Sequence, residues 1–306
     1  MSDALREQIP ASGSGVEPVA VQRRVPGGVD LLRAIWSSRN GRIGLVFVGL
    51  IVLGALIEGV GLAPVNPQTQ DPSAVLKGIS ISHLFGTDQF GRDVFSLVLQ
   101  GIGVSLEISC IATLIAGGIG TVGGIVAGYL GGFASTAIMR ATDIVFAIPA
   151  ILLALAIVTA LGPGILDSAL AIGVGYIPIF VRVVRAPVLG LRNADFVRAG
   201  RVLGFSRTRV LFCHILPNVY GVVAVQASLA LAWAILAEAS LSFLGLGPPP
   251  PTASLGQMVS DSSSLASFAW WTLAGPSVAI VVAVIGFNFL GDGLRDATDP
   301  RTRRSR

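Results

Sequence analysis

Charge is what this sequence has least of. Only 12% of its 306 residues are Asp, Glu, Lys or Arg, 53% are apolar, and mean hydropathy is +0.78. A water-soluble chain carries about a quarter charged residues, so a soluble globular fold is excluded and a polytopic membrane protein is expected. Lysine is scarcer still. Lys77 stands alone between Leu76 and Gly78, which rules out a Gly-Lys-Ser/Thr phosphate loop and ATP hydrolysis by that route. The two histidines, His83 and His214, are too few and too far apart for a Cys/His metal cluster or a membrane-embedded catalytic constellation. Cys110 lies in an apolar run and Cys213 in a basic segment, so no disulfide is expected.

What charge there is has a pattern. The formal net charge is +4, but the arginines are grouped in segments between apolar runs. That distribution suits membrane topology and argues against nucleic-acid binding. Residues 1–42 read as a polar cytoplasmic tail with Gly and Pro between Pro10 and Gly28, then an amphipathic piece from Val29 to Trp36 fit for the membrane surface. The first apolar run, Ile43 to Ala63, would be about 31 Å long as a helix at ~1.5 Å per residue, enough for one crossing. It starts too late to be a cleaved signal peptide.

Further runs at about 104–127, 137–161, 169–189, 219–246 and 271–290 complete six expected transmembrane helices. They make a transmembrane domain over 43–292, with a short tail at 293–306. Nineteen Lys and Arg residues fall in the tails, the 128–140 turn and the segment from Arg182 to Arg209, against Lys77 and Arg92 in the first opposite loop. The positive-inside rule then predicts cytoplasmic N- and C-termini, with the loop at 194–217 on the same side. Pro149 and Pro178 each remove a backbone donor inside an apolar run. They are expected to bend their helices, as a gate would need. Glu107 and Glu238 lie at membrane depth, where an ionised group normally faces protein or water. Each is a candidate for the pathway or for an internal helix-to-helix contact.

Three further stretches carry chemistry. Asp195 to Asn218 reads as two short helices, the first ended by Gly204, the second capped by Ser206 and stopping at Pro217. Phe196, Gly200 and Leu203 fall on one apolar edge, and Arg198 and Arg201 project from the other side. In His83 to Ser96, Thr87 or Asp88 suits a helix cap, Asp88 and Arg92 suit an i,i+4 pair, and Gly86 and Gly91 suit tight backbone. After the last run, Asp292 and Asp296 lie one turn apart with Arg295 between them. An ionic latch and a solvated helix end are both open there.

These stretches resemble the permease subunits of bacterial ABC importers. The family's signature loop runs Glu-Ala-Ala, three residues, Gly, nine residues, Ile-x-Leu-Pro. The spacing is kept by Arg198-Ala199-Gly200, Gly204 and His214-Ile215-Leu216-Pro217, although Arg198 replaces the Glu and Gly200 the second Ala. Gly86-Thr87-Asp88 with Gly91-Arg92-Asp93, the run Ala237 to Gly247 with Pro248 to Pro251, and Asn288 to Pro300 are similar to the dipeptide, oligopeptide and nickel branch. Met139 to Asp143 with Pro149 is similar to the family's turn into its third span.

The resemblance implies the type I importer permease fold, all-α with a cytoplasmic coupling-helix loop, in a bacterial cell membrane. It also implies a second homologous permease, two cytoplasmic ATPase subunits that hold ATP and magnesium, and an extracytoplasmic binding protein that delivers peptide. No cofactor is expected in this chain. Nickel or a metal chelate is the alternative cargo. An ion-coupled secondary carrier is the alternative class, disfavoured by the lack of an internal repeat.

Overall fold

The computed structural model describes residues 28–298. The polar tail before Gly28 and the motif's Asp299-Pro300-Arg301 lie outside the described residues. Among those described there is no strand, only an isolated bridge between Thr87 and Asp93. The helices are α1 (Gly28–Ser37), α2 (Arg39–Gly59), α3 (Val94–Leu130), α4 (Gly132–Phe146), α5 (Ala150–Leu161), α6 (Ile165–Leu191), α7 (Asp195–Val202), α8 (Arg207–Val210), α9 (Leu216–Phe243), α10 (Leu255–Ser262) and α11 (Trp270–Thr298).

Five of these stretches are long and apolar enough to cross a membrane: α2, α3, α6, α11, and the helical stretch Arg207–Phe243 that joins α8 to α9. The sixth expected crossing is not one helix. Around Pro149 the chain breaks between α4 and α5 and turns by 83°. The pyrrolidine ring supplies no N–H, and the residue before it is driven out of the helical region. At 12 residues, α5 is about 18 Å long and cannot span the ~30 Å hydrocarbon core alone. Pro178 behaves differently, because α6 runs through it and through Pro187 without interruption.

The core is assembled along α3. Its Val104, Ile108 and Ala112 pack with Ala154 and Val158 of α5, Ala169 and Ile172 of α6 and Leu241 of α9. Nearer its start, Val94, Val98 and Ile102 meet Ile51 of α2, Ile235 of α9 and Ala279, Ala283 and Phe287 of α11. The α3–α6 seam is close because α3 turns small residues to it. A Cβ added at Gly124 would stand 2.8 Å from the Val181 carbonyl oxygen, so van der Waals contact between backbones does here what larger side chains do in soluble cores.

With helices this long, the ends of the bundle carry the segments that lack apolar cover. The long loop after α2, the end of α9, α10 and the start of α11 form one end. At the other meet the start of α2, the ends of α3, α6 and α11, the start of α9, and α7 and α8. Here a Cβ on Gly221 would lie 3.1 Å from Thr298 and one on Gly293 would touch Ile35.

Candidate functional site

At the second end, α7 lies across the tip of α3. Val197 and Gly200 form its buried face, packed with Val210, Ile215, Tyr129 and Val188 in one cluster. Arg201 fastens it by donating from Nε to the Tyr129 hydroxyl at 3.1 Å, with its guanidinium 4.8 Å from the same ring. Gly204 then takes φ +76°, the left-handed conformation that glycine adopts without strain. Ser206 caps α8, its Oγ accepting from Arg209 N. The Arg209 guanidinium sits 4.2 Å over the Phe205 ring.

Two expectations about this loop are corrected. The second helix does not stop at Pro217. α8 passes through a π-helical turn, Leu211–Ile215, directly into α9, and Pro217 follows that turn within the continuous helical stretch. Nor is Gly200 on the exposed edge. It faces Phe205 and Val210, and the exposed apolar residues are Phe196, Val202 (88% exposed), Leu203 (71%) and Phe212. Ala199 and Arg198 are exposed beside them.

The opposite end is organised around the Gly-Thr-Asp and Gly-Arg-Asp pieces. Neither Thr87 nor Asp88 caps a long helix. Asp93 does, because Oδ2 of its carboxylate accepts from both Ser96 N and Ser96 Oγ at 2.8 Å, while Oδ1 lies 3.0 Å from His83 Nδ1. Thr87 is fully buried; its hydroxyl accepts from Lys77 N at 2.8 Å and donates to the Ala74 carbonyl. Trp271 Nε1 donates to the Thr87 carbonyl at 3.2 Å. Asp88 accepts from Arg92 Nε at 2.7 Å and from two backbone N–H groups, those of Phe90 and Arg92. Gly86 and Gly91 both have positive φ. Gln100 joins this loop to the proline-rich turn, its Oε1 accepting from Gln68 Nε2 and from Ala253 N.

A small cavity at this end is lined by Asp88, Arg92, Met258, Asp261, Leu265 and Thr272 among others. Partial burial raises the Asp261 carboxyl above the usual carboxylate value; the Arg92 guanidinium opposes that rise and the Asp88 carboxylate adds to it.

The two intramembrane glutamates separate cleanly. Glu238 is 1% exposed. Its carboxylate accepts from Ser105 Oγ of α3 at 2.6 Å and from Ser242 Oγ of α9 at 2.7 Å, so it ties two helices together and does not open onto a path along this chain. Glu107 is exposed on α3, one turn after Gly103, over which the Glu58 carboxylate lies. The face continues through exposed Cys110 and Leu114. At the bend, Asp143 of α4 pairs with Arg182 of α6 at 2.8 Å, and that guanidinium lies 4.1 Å over the Phe146 ring. Asp292, Arg295 and Asp296 are exposed at the end of α11.

The residues missed by sequence reasoning are the receiving ones. Tyr129, Ser105, Ser242, Gln100 and Trp271 sit in apolar or unremarkable contexts, and only the fold brings their partners to them. One signal was available: a lone acid inside an apolar run asks for nearby hydroxyls, and Ser242 stands one turn after Glu238.

Comparison with known proteins agrees with this architecture. Residues 120–304 match the family described as binding-protein-dependent transport system inner membrane component. The chain is 42% identical over 263 residues to a dipeptide transport system permease protein of Alkalihalophilus pseudofirmus, covering 85% of this chain and 86% of that one. It is 43% identical over 273 residues to the dipeptide transport system permease protein of Escherichia coli, covering 87% and 91%. With a putative peptide transport system permease protein of Brucella suis the identity is 40% over 271 residues, covering 89% and 91%.

Proposed function

The chain belongs to the family of binding-protein-dependent transport system inner membrane components, and from that premise we propose that it is a permease subunit of an ATP-driven importer of di- or oligopeptides. The observation that carries the reading is the α7–α8 segment: an apolar, glycine-hinged knob anchored to the bundle by Arg201 and Tyr129, with its remaining face exposed. An exposed apolar surface of that shape suits cover by another protein. An ATPase as that protein is supported by the lack of a phosphate loop in this sequence, and a cytoplasmic knob with cytoplasmic termini is supported by the arginine distribution. Peptide as cargo is supported by the relatives named for dipeptides and peptides; the metal-chelate alternative has no comparable support.

In this mechanism, closure of two ATPase subunits on ATP pushes the α7–α8 segment. Because α8 is continuous with α9 through the π-helical turn, the push travels up a single rod of 37 residues. A partner permease completes the path. Glu107 then faces that path or the partner, since an exposed carboxylate at membrane depth is not left in lipid. The bend at Pro149 lets α4 move with the cytoplasmic end while α5 stays packed on α6.

The test is reconstitution of the chain with its partner permease, ATPases and binding protein in proteoliposomes, followed by uptake of labelled di- and tripeptides. ATP-dependent uptake that requires the binding protein is expected. Uptake that proceeds without the ATPases on an ion gradient alone would replace this reading with a secondary carrier.

A further inference from the structure

The coupling knob carries a chemical demand on whatever covers it. On α7, Arg198 and Val202 are four residues apart and share the face opposite buried Val197. Val202 is 88% exposed, and Leu203 and Phe212 flank it. A groove deep enough to bury Val202 therefore also removes water from Arg198. A guanidinium taken out of water without a counter-charge is strongly unfavourable, and a carboxylate in the groove offsets that cost.

The loop does not supply this counter-charge itself. Of its four arginines, Arg201 is engaged by Tyr129 and Arg209 by the Phe205 ring. Arg198 and Arg207 take part in none of the ion pairs formed among the described residues, and both are exposed. Asp195 is the only acidic residue from 195 to 218. Arg207 is also placed against local helix electrostatics. It stands in the first turn of the continuous Arg207–Phe243 helix, at the positive end of the dipole, where a cation is disfavoured. Helix stability does not explain it; retention on the arginine-rich side of the membrane and a partner's negative charge both would, and only the second needs Arg207 beside an exposed apolar patch.

We propose that the ATPase groove receiving this knob is apolar at its floor and rimmed by carboxylates that pair with Arg198 and Arg207. This rests on the coupling reading given above. It implies a polarity of recognition set by this chain's Arg198, at the position where the resembling signature carries Glu, so that an ATPase with a basic rim is rejected by like-charge repulsion.

The experiment compares Arg198→Glu, Arg207→Glu and Val202→Asp in the complete permease–ATPase complex in nanodiscs, reading the dissociation constant for the ATPase and the ATPase rate stimulated by peptide-loaded binding protein. All three side chains are exposed, and each variant keeps at least three of the four arginines from 195 to 218, so the positive-inside charge that sets topology is retained. Each arginine reversal is expected to weaken ATPase binding by roughly tenfold or more, more at low salt than at high, with recovery when an acidic residue of the ATPase groove is changed to Lys. If Val202→Asp abolishes docking while both reversals leave it intact, the acidic rim is wrong and the coupling reading stands. If none of the three changes binding, the coupling reading falls as well. If the reversals act only in discs containing phosphatidylglycerol and not in phosphatidylcholine, the arginines face the membrane surface, and the proposal is overturned.

Discussion

The two ends of the bundle each carry a motif of glycines, arginines and aspartates, and they use it in opposite ways. At the His83–Ser96 end the polar groups are turned inward. Thr87 is fully buried, Asp93 is 3% exposed, and Asp88 spends both oxygens on neighbours. At the Asp195–Asn218 end, of the four arginines only Arg201 and Arg209 find side-chain partners among the described residues, while apolar side chains such as Val202 and Leu203 are exposed. A motif whose polar groups are closed upon each other suits scaffold; one that leaves cations uncovered beside apolar groups suits the interface proposed for it. The same residue types therefore have different functions, and satisfaction of their hydrogen bonds distinguishes them.

Substitutions at the first end should then be felt in stability, and those at the second in coupling. The largest effect is expected from Gly86→Val. Gly86 has φ +69°, and a Cβ there would stand 2.6 Å from Trp271 Cδ1. Left-handed strain and overpacking together cost about 3 kcal/mol or more, read as a lowered Tm in detergent; an unchanged Tm would mean that the cap is not scaffold.

Gly204→Val comes next and should separate the two properties. Nothing lies within 4 Å of a Cβ at that site, so only backbone strain of about 1–2 kcal/mol applies. Peptide-stimulated ATP hydrolysis should nonetheless no longer track uptake, by an order of magnitude in the ratio of the two rates. Full coupling in this variant would remove α7–α8 as the lever.

Tyr129→Phe keeps the ring beneath Arg201 and deletes only the hydroxyl. A loss of about 1 kcal/mol is expected, with coupling reduced a few-fold because α7 is less firmly held to α3. If uptake and hydrolysis are both untouched, the Arg201 ring contact alone fixes the knob.

The smallest effect concerns pH. The Asp261 carboxyl is raised in the folded chain by burial. Its contribution to stability is therefore fully present below its unfolded value and is lost as pH rises through the higher folded one. Asp261→Asn should flatten the acid-side dependence of Tm, leaving coupling at the other end unaltered; a variant with wild-type pH dependence would mean that Asp261 does not couple to the cap.

Membrane class was legible in composition, because no soluble fold hides this much apolar surface. The candidate loop was legible because glycine spacing and a proline are local signals. Glu238 was legible only in part: Ser242 one turn on offered a hydroxyl, but Ser105, the partner that makes it a tie between helices, lies 133 residues away in sequence. Gly200 was misplaced onto the exposed edge for a related reason: helical periodicity groups residues by face without saying which face the bundle covers.

What the sequence determined by itself is thus the local and the additive: which runs are apolar enough to enter a membrane, where Pro149 breaks a helix, and that this sequence carries no Gly-Lys-Ser/Thr phosphate loop. Tertiary structure alone decided the pairings across long separations, Ser105 with Glu238, Tyr129 with Arg201 and Thr87 with Trp271. The physical reason is that a hydrogen bond between distant residues leaves no periodic trace in either segment. It exists only once packing has brought a donor and an acceptor within about 3 Å and withdrawn both from water.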